Sequence, residues 1–219
     1  MGQISENLRF GNVTVDSLDV KTGTITNAMC HDSMGLARTK LELNSLAEYN
    51  IDFASLRVWD ALNTPLTGTP GSDDMGLLTG VFGTESWHLS AGDLKAAGDT
   101  SRYCRGMVAL PQEYDAAETV QFEITAATQD NVADVSSVVD IEVYSFDEDL
   151  TVSADLVTTA ATSINAVTFA AKTFLVTSTS LNPGDILDFR IKLQCNDAAT
   201  GANVEPTISA IKLQCDVRG

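Results

Sequence analysis

Residues 186–195 read ILDFRIKLQC, residues 196–206 NDAATGANVEP, and residues 207–217 TISAIKLQCDV. In the first run Leu187, Phe189, Ile191, Leu193 and Cys195 alternate with Asp188, Arg190, Lys192 and Gln194. In the third, Ile211, Leu213, Cys215 and Val217 alternate with Lys212, Gln214 and Asp216. A period of two places one set on each face of a strand. The apolar faces need a partner layer to leave water. The polar link between the runs leaves two arrangements, a hairpin or a meeting across a sandwich. Pro183-Gly184 marks a turn just before the first run, since Pro presets φ and Gly supplies a positive one.

The same texture extends upstream to Tyr103. YCRGMVALP, ETVQFEITA, VVDIEVYSF and NAVTFAAKTFLVT follow one another at short intervals. Val120, Phe122 and Ile124 make one apolar face; Ile141 and Val143 make another, with Tyr144 and Phe146 on its reverse. Turn residues at Pro111–Glu113, Asp130-Asn131, Asp147–Asp149 and Asn182–Gly184 separate the runs. Short strands punctuated by turns predict an all-β, antiparallel β-sandwich, jelly-roll-like in strand number.

The first hundred residues are less regular. Residues 51–62, IDFASLRVWDAL, read as a strand with Leu56 and Val58 on one side and Arg57 and Trp59 on the other. Residues 63–102 are rich in Gly, Thr, Ser, Asp and Pro. Either they carry short strands, as Leu77–Phe82 indicates, or they form an irregular excursion that contacts a partner. Residues 32–50 read as a short capped helix or as a strand starting near Leu41. In residues 1–30, Leu8, Phe10, Val13, Val15, Val20 and Ile25 are scattered among polar residues. That is too little apolar mass for a separate core. The segment therefore reads as an extended N-terminal assembly arm on a domain spanning 31–219, those six residues being its contact residues. The bland alternative is a frayed terminus.

Composition narrows the function. With 30 acidic and 13 basic residues the net charge is −17. Such a field repels phosphates and anionic membranes, so neither nucleic acid nor membrane is an expected partner. No apolar run reaches the ~18 residues of a spanning helix, and MGQISENLRF lacks the pattern of a secretory leader. Cys30, Cys104, Cys195 and Cys215 include no CxxC pair, which argues against zinc and redox chemistry. Cys195 and Cys215 read as buried thiols or as one disulfide; a reducing compartment favours thiols. No hydrolase, metalloprotease, phosphate-loop or dinucleotide motif is present. Cys30-His31 lacks an orienting third group, and two histidines are few for a hydrolase or metalloenzyme. Asp73-Asp74 and Asp147–Asp149 read either as carboxylates that hold a calcium ion or as solvated acidic turns, and neither matches an EF-hand. The expectation is a non-enzyme with no metal and no cofactor.

Three blocks carry a resemblance: 33–66, 91–124 and 164–197, with LPQEYDAAETV at 110–120, LNPGDILDFRI at 181–191 and LQCDVRG at 213–219. The chain after about residue 30 resembles virion structural proteins of tailed bacteriophages and, by analogy, capsid cement or decoration proteins built on a jelly roll. The resemblance implies a partner, the major capsid protein, self-association as a homotrimer, and a place on the capsid surface after synthesis in the host cytoplasm. A second reading is a receptor- or carbohydrate-binding module of a tail or head fibre. That reading needs exposed aromatic platforms, for which Trp59, Trp87, Tyr49 and Tyr114 are the candidates, Trp59 reading better as a core residue.

Overall fold

In the computed structural model, which describes residues 45–146, 151–198 and 202–218, the decisive stretch splits between two sheets. The strands are β1 (Ser45–Asn50), β2 (Arg57–Val58), β3 (Ala61–Pro65), β4 (Gly76–Leu78), β5 (His88–Ser90) and β6 (Asp99–Ala109). They continue with β7 (Val120–Asp130), β8 (Ser136–Ser145), β9 (Thr162–Ser163), β10 (Ala170–Val176), β11 (Ile186–Asn196) and β12 (Val204–Val217). One sheet has the order β10-β7-β12-β5-β4, with β1 also on β12; the other has β3-β2-β6-β11-β8-β9. Every named pairing is antiparallel.

From β5 to β12 the chain crosses between sheets at every connection but the one from β8 to β9. The result is two four-stranded halves, β5-β12-β7-β10 and β6-β11-β8-β9, which is the jelly-roll connectivity. The runs 186–195 and 207–217 thus meet across the sandwich and form no hairpin. All eleven residues that the alternation sends inward along 120–124, 141–143, 187–193 and 211–213 are buried, among them Phe122, Phe189 and Leu213. The turn before β11 also forms as read: Gly184 has φ 86°, and the Asp185 N–H donates to the Asn182 carbonyl at 3.2 Å.

β12 is longer than its clean alternation. Val204, Pro206 and Ile208 point inward, then Ile211, Leu213 and Cys215 do so. The inward parity changes from even to odd because the register against β7 shifts between Ile208 and Ala210. An extra residue in one strand of a pair does this.

The first hundred residues depart from the sequence reading. Residues 51–62 are not one strand. Asp52 caps a 3-10 turn over Phe53–Ser55 by accepting from the Ala54 N–H at 2.9 Å, and β2 and β3 follow as separate short strands. The segment 63–102 does carry short strands. β4 and β5 extend the β12 sheet, and Met75, Leu89, Ala91 and Leu94 are buried in the core. Of residues 32–50, the end forms β1 on the edge of β12. The arm residues Leu8, Phe10, Val13, Val15, Val20 and Ile25, the boundary near residue 31, Cys30-His31 and the acidic turn 147–149 lie outside the described residues.

Cys195 and Cys215 sit in different sheets, and with Cys104 they are buried free thiols. Burial pushes the thiol of Cys104 up to about 12 and those of Cys195 and Cys215 up to about 11. The thiolate is the reactive form. In a Cys30→Ser background the native chain is therefore expected to take up no iodoacetamide at mildly alkaline pH. Three thiols per chain should react after denaturation. Mass spectrometry reads the count, and native labelling at any of the three would show that its strand does not face the core.

Candidate functional site

The outward face of the β6-β11-β8 sheet carries a cluster of charged and aromatic side chains. Register sets it: Arg190 lies opposite Arg105 on β6 and Glu142 on β8, Lys192 opposite Tyr103 and Asp140, and Asp188 opposite Tyr144. Because their neighbours Leu187, Phe189, Ile191 and Leu193 face the core, these side chains must face out. Cross-strand charge pairs follow from that placement.

Arg190 Nη2 donates to both Glu142 oxygens at 2.7 Å. Lys192 Nζ lies 3.0 Å from Asp140 Oδ2. Arg105 Nε donates to Asp188 Oδ1 and Oδ2 at 2.8 and 3.0 Å, and its Nη2 also pairs with Oδ2. The Asp188 side chain is only 7% exposed. The hydrogen bonds it donates to Asp188 raise the Arg105 guanidinium further above its ordinary value.

An aromatic cluster sits beside the charges. Trp59 comes from the turn between β2 and β3, and its Nε1 donates to Asp73 Oδ2 at 3.2 Å. The strap carrying Asp73 is tied to β6: the Tyr103 N–H donates to the Asp73 carbonyl at 2.8 Å, and the Met75 N–H to the Tyr103 carbonyl at 2.9 Å. Trp59 and Tyr103 are tilted by 47° with ring centroids 5.3 Å apart. The Arg190 guanidinium carbon stands 5.1 Å from each ring centroid. Tyr144 donates to Glu142 Oε2 at 3.3 Å; burial, then the Glu142 charge, raises its hydroxyl above the ordinary value. Trp59, Asp60, Arg105, Glu142, Tyr144, Phe146, Val152, Asp188 and Arg190 line an open cleft of about 430 Å³.

The sequence candidates separate in space. Trp59 is not a core residue: it is half-buried at the rim of this cleft. Tyr114 is the reverse, fully buried, its hydroxyl donating to the Glu118 carbonyl at 2.9 Å. Tyr49 is 37% exposed on edge strand β1, and Trp87 is 51% exposed in the loop before β5. His88 is half-buried on β5, with Nδ1 3.2 Å from the Ser86 carbonyl oxygen. No group of three or more metal-ligating side chains stands together among the described residues.

A second exposed feature went unread in the sequence. Between β4 and β5 the chain makes a tight turn at Val81–Glu85. The Thr84 and Glu85 N–H groups donate to the Val81 carbonyl at 3.0 Å, and the Val81 N–H donates to Glu85 Oε2 at 3.0 Å. Gly83 takes φ 83°. The turn holds Val81 at 66% and Phe82 at 102% exposure. The signal was local: apolar Val-Phe between glycines 80 and 83 is a turn tip, not a strand.

No protein-family model matches the sequence, and no curated protein matches it. Among solved structures the chain is similar to the CBM22-1 xylan-binding domain of Xyn10C from Paenibacillus barcinonensis. That similarity has 11% identity and a TM-score of 0.39, over 80% of this chain and 97% of that one. It is also similar to a chain of infectious bursal disease virus, Gx strain, at 13% identity and TM-score 0.38, over 80% of this chain and 32% of that one. A third is the K3 cleaved adhesin domain of Lys-gingipain from Porphyromonas gingivalis W83, at 17% identity and TM-score 0.38, over 76% and 99%.

Proposed function

We propose that this chain acts by binding, as a cement or decoration subunit that attaches to the major capsid protein of a tailed-phage shell and to sister copies in a trimer. The observation that carries this reading is the Val81–Glu85 turn. It is closed by the hydrogen bonds among Val81, Thr84 and Glu85, so it is built rather than loose, yet it holds Phe82 wholly in water. An ordered apolar tip of this kind loses little entropy when a partner covers it. The scattered apolar residues of the 1–30 segment supply a second contact that gains order on the partner surface. The acidic net charge keeps the subunit off packaged DNA. Chemistry is not part of the role.

The test is particle binding. Deleting residues 2–30 is expected to leave a cooperative thermal transition intact while abolishing attachment to particles stripped of the protein. Phe82→Asp should weaken attachment at least about tenfold, the usual effect of losing an interface anchor. Unchanged affinity in both variants would reject these contacts. Failure of the truncated chain to fold would place residues 2–30 in the core.

A further inference from the structure

The cleft on the outer face of the β6-β11-β8 sheet is overbuilt for stability alone. The part-exposed Arg190–Glu142 pair contributes little, ~0–1 kcal/mol. The attraction between Arg105 and the buried Asp188 is offset by desolvation, and a tryptophan at the rim of a wet cleft leaves apolar surface in water. What the arrangement achieves is fixed geometry. Arg190 is held by both Glu142 oxygens and by two aromatic faces. Arg105 is held by both Asp188 oxygens. Trp59 is pinned by Asp73. The donors and acceptors that remain on these planar groups are thus aimed before any ligand arrives, and such preorganisation reduces the entropy lost on binding.

The lining also states what it would take. Planar carboxylate and guanidinium groups next to aromatic rings offer acceptors, donors and an apolar wall together. A small molecule with many hydroxyls and a flat C–H face uses all three. Hydroxyls both donate and accept, and the C–H face packs on an aromatic ring. A phosphate or carboxylate ligand is disfavoured. Asp60, Glu142 and Asp188 outnumber Arg105 and Arg190, both guanidinium groups are already paired, and the whole chain carries −17. The cleft volume, about 430 Å³, lies in the range of small-molecule sites. We infer that this cleft is a binding site for a neutral saccharide, with Trp59 and Tyr144 as the apolar wall and Glu142, Arg190 and Arg105 as the hydrogen-bonding groups. None of these groups belongs to the Phe82 turn or to residues 1–30, so the inference stands or falls apart from the capsid reading.

The experiment is a glycan array carrying neutral and acidic oligosaccharides. It is followed by titration of the best neutral hit against a Trp87→Phe chain, in which Trp59 is the sole tryptophan. Binding of a neutral glycan with a change in Trp59 fluorescence is expected. Trp59→Ala should weaken it at least about tenfold. Glu142→Gln, which keeps the side-chain shape but releases Arg190, should also weaken it; a thermal transition close to the parent's shows that each variant is folded. Three results would overturn the inference: no neutral glycan bound, binding confined to acidic glycans, or neutral binding that survives Trp59→Ala. The last would place the sugar elsewhere on the surface.

Discussion

Phe189→Ala is expected to reduce the unfolding free energy by about 3–5 kcal/mol. Phe189 sits mid-strand in β11, 1% exposed, with its ring centroid 5.2 Å from that of Phe122 in the opposite sheet and tilted by 49°. It therefore bridges the two layers. β11 is paired on both edges, to Gly106 on β6 and to Val143 on β8. Backbone pinned from both sides cannot move in to fill the space, so the cavity term adds to the lost transfer energy. Denaturant titration should show a lower midpoint at an unchanged slope. A loss below ~1 kcal/mol would mean that the ring is not between the sheets, since a buried aromatic truncation does not come so cheaply.

Gly106→Ala is expected to destabilise by about 1–3 kcal/mol, and the cost should shrink when Phe189 is absent. Gly106 lies directly opposite Phe189 in the register. A Cβ built there would stand 2.4 Å from Phe189 Cζ and 2.7 Å from Leu56 Cδ2. Those atoms are packed in the core and have no free direction to yield. The glycine is present because the phenyl ring occupies the space that a methyl group would take; its φ is not in the left-handed region. Once Phe189 is alanine, the added methyl fills part of the cavity. With the ring gone, only Leu56 Cδ2 must shift, and it has the cavity to move into. Gly106→Ala should therefore cost less in the Phe189→Ala background than in the parent, a coupling that denaturation of the four-member cycle measures. Additive losses would show that the two residues do not share this space.

These residues also mark where the sequence could be read and where it could not. β7, β8, β11 and the end of β12 alternate cleanly because each is long, with one dry face and one wet face. Period two then survives over many residues. The start of β12 was misread as linker because the shift at Ser209 reverses the inward parity and Pro206 argues against a strand. Leu56, Met75, Leu89 and Leu94 were not legible as core. Each is a single apolar residue in a short strand or loop, buried by distant partners rather than by any pattern of its own. The cleft was half legible. The alternation sends Arg190 and Tyr144 outward, but only the register shows that Glu142 and Arg105 flank Arg190. That Trp59 joins them depends on the strap at Asp73. Tyr114 and Trp59 exchange the roles their sequence context implies, because polar neighbours say little about a residue set at a corner of the sandwich.

β12 pairs with β7 along one edge, and with β5 and β1 along the other. It is the last of the named strands and lies inside its sheet rather than at the margin. During synthesis the pairs β7-β10 and β4-β5 can form without β12 and are joined only when it emerges, with the inner edges of β7 and β5 and the strand β1 unpaired until then. β6 likewise waits for β11, some ninety positions later in the chain. Neighbours in space that are so remote in sequence make for slow closure, and open edges in the interval invite pairing with other nascent chains. The β12 sheet cannot close before Val204–Val217 has been made, and until then its open inner edges can pair with other copies of the chain.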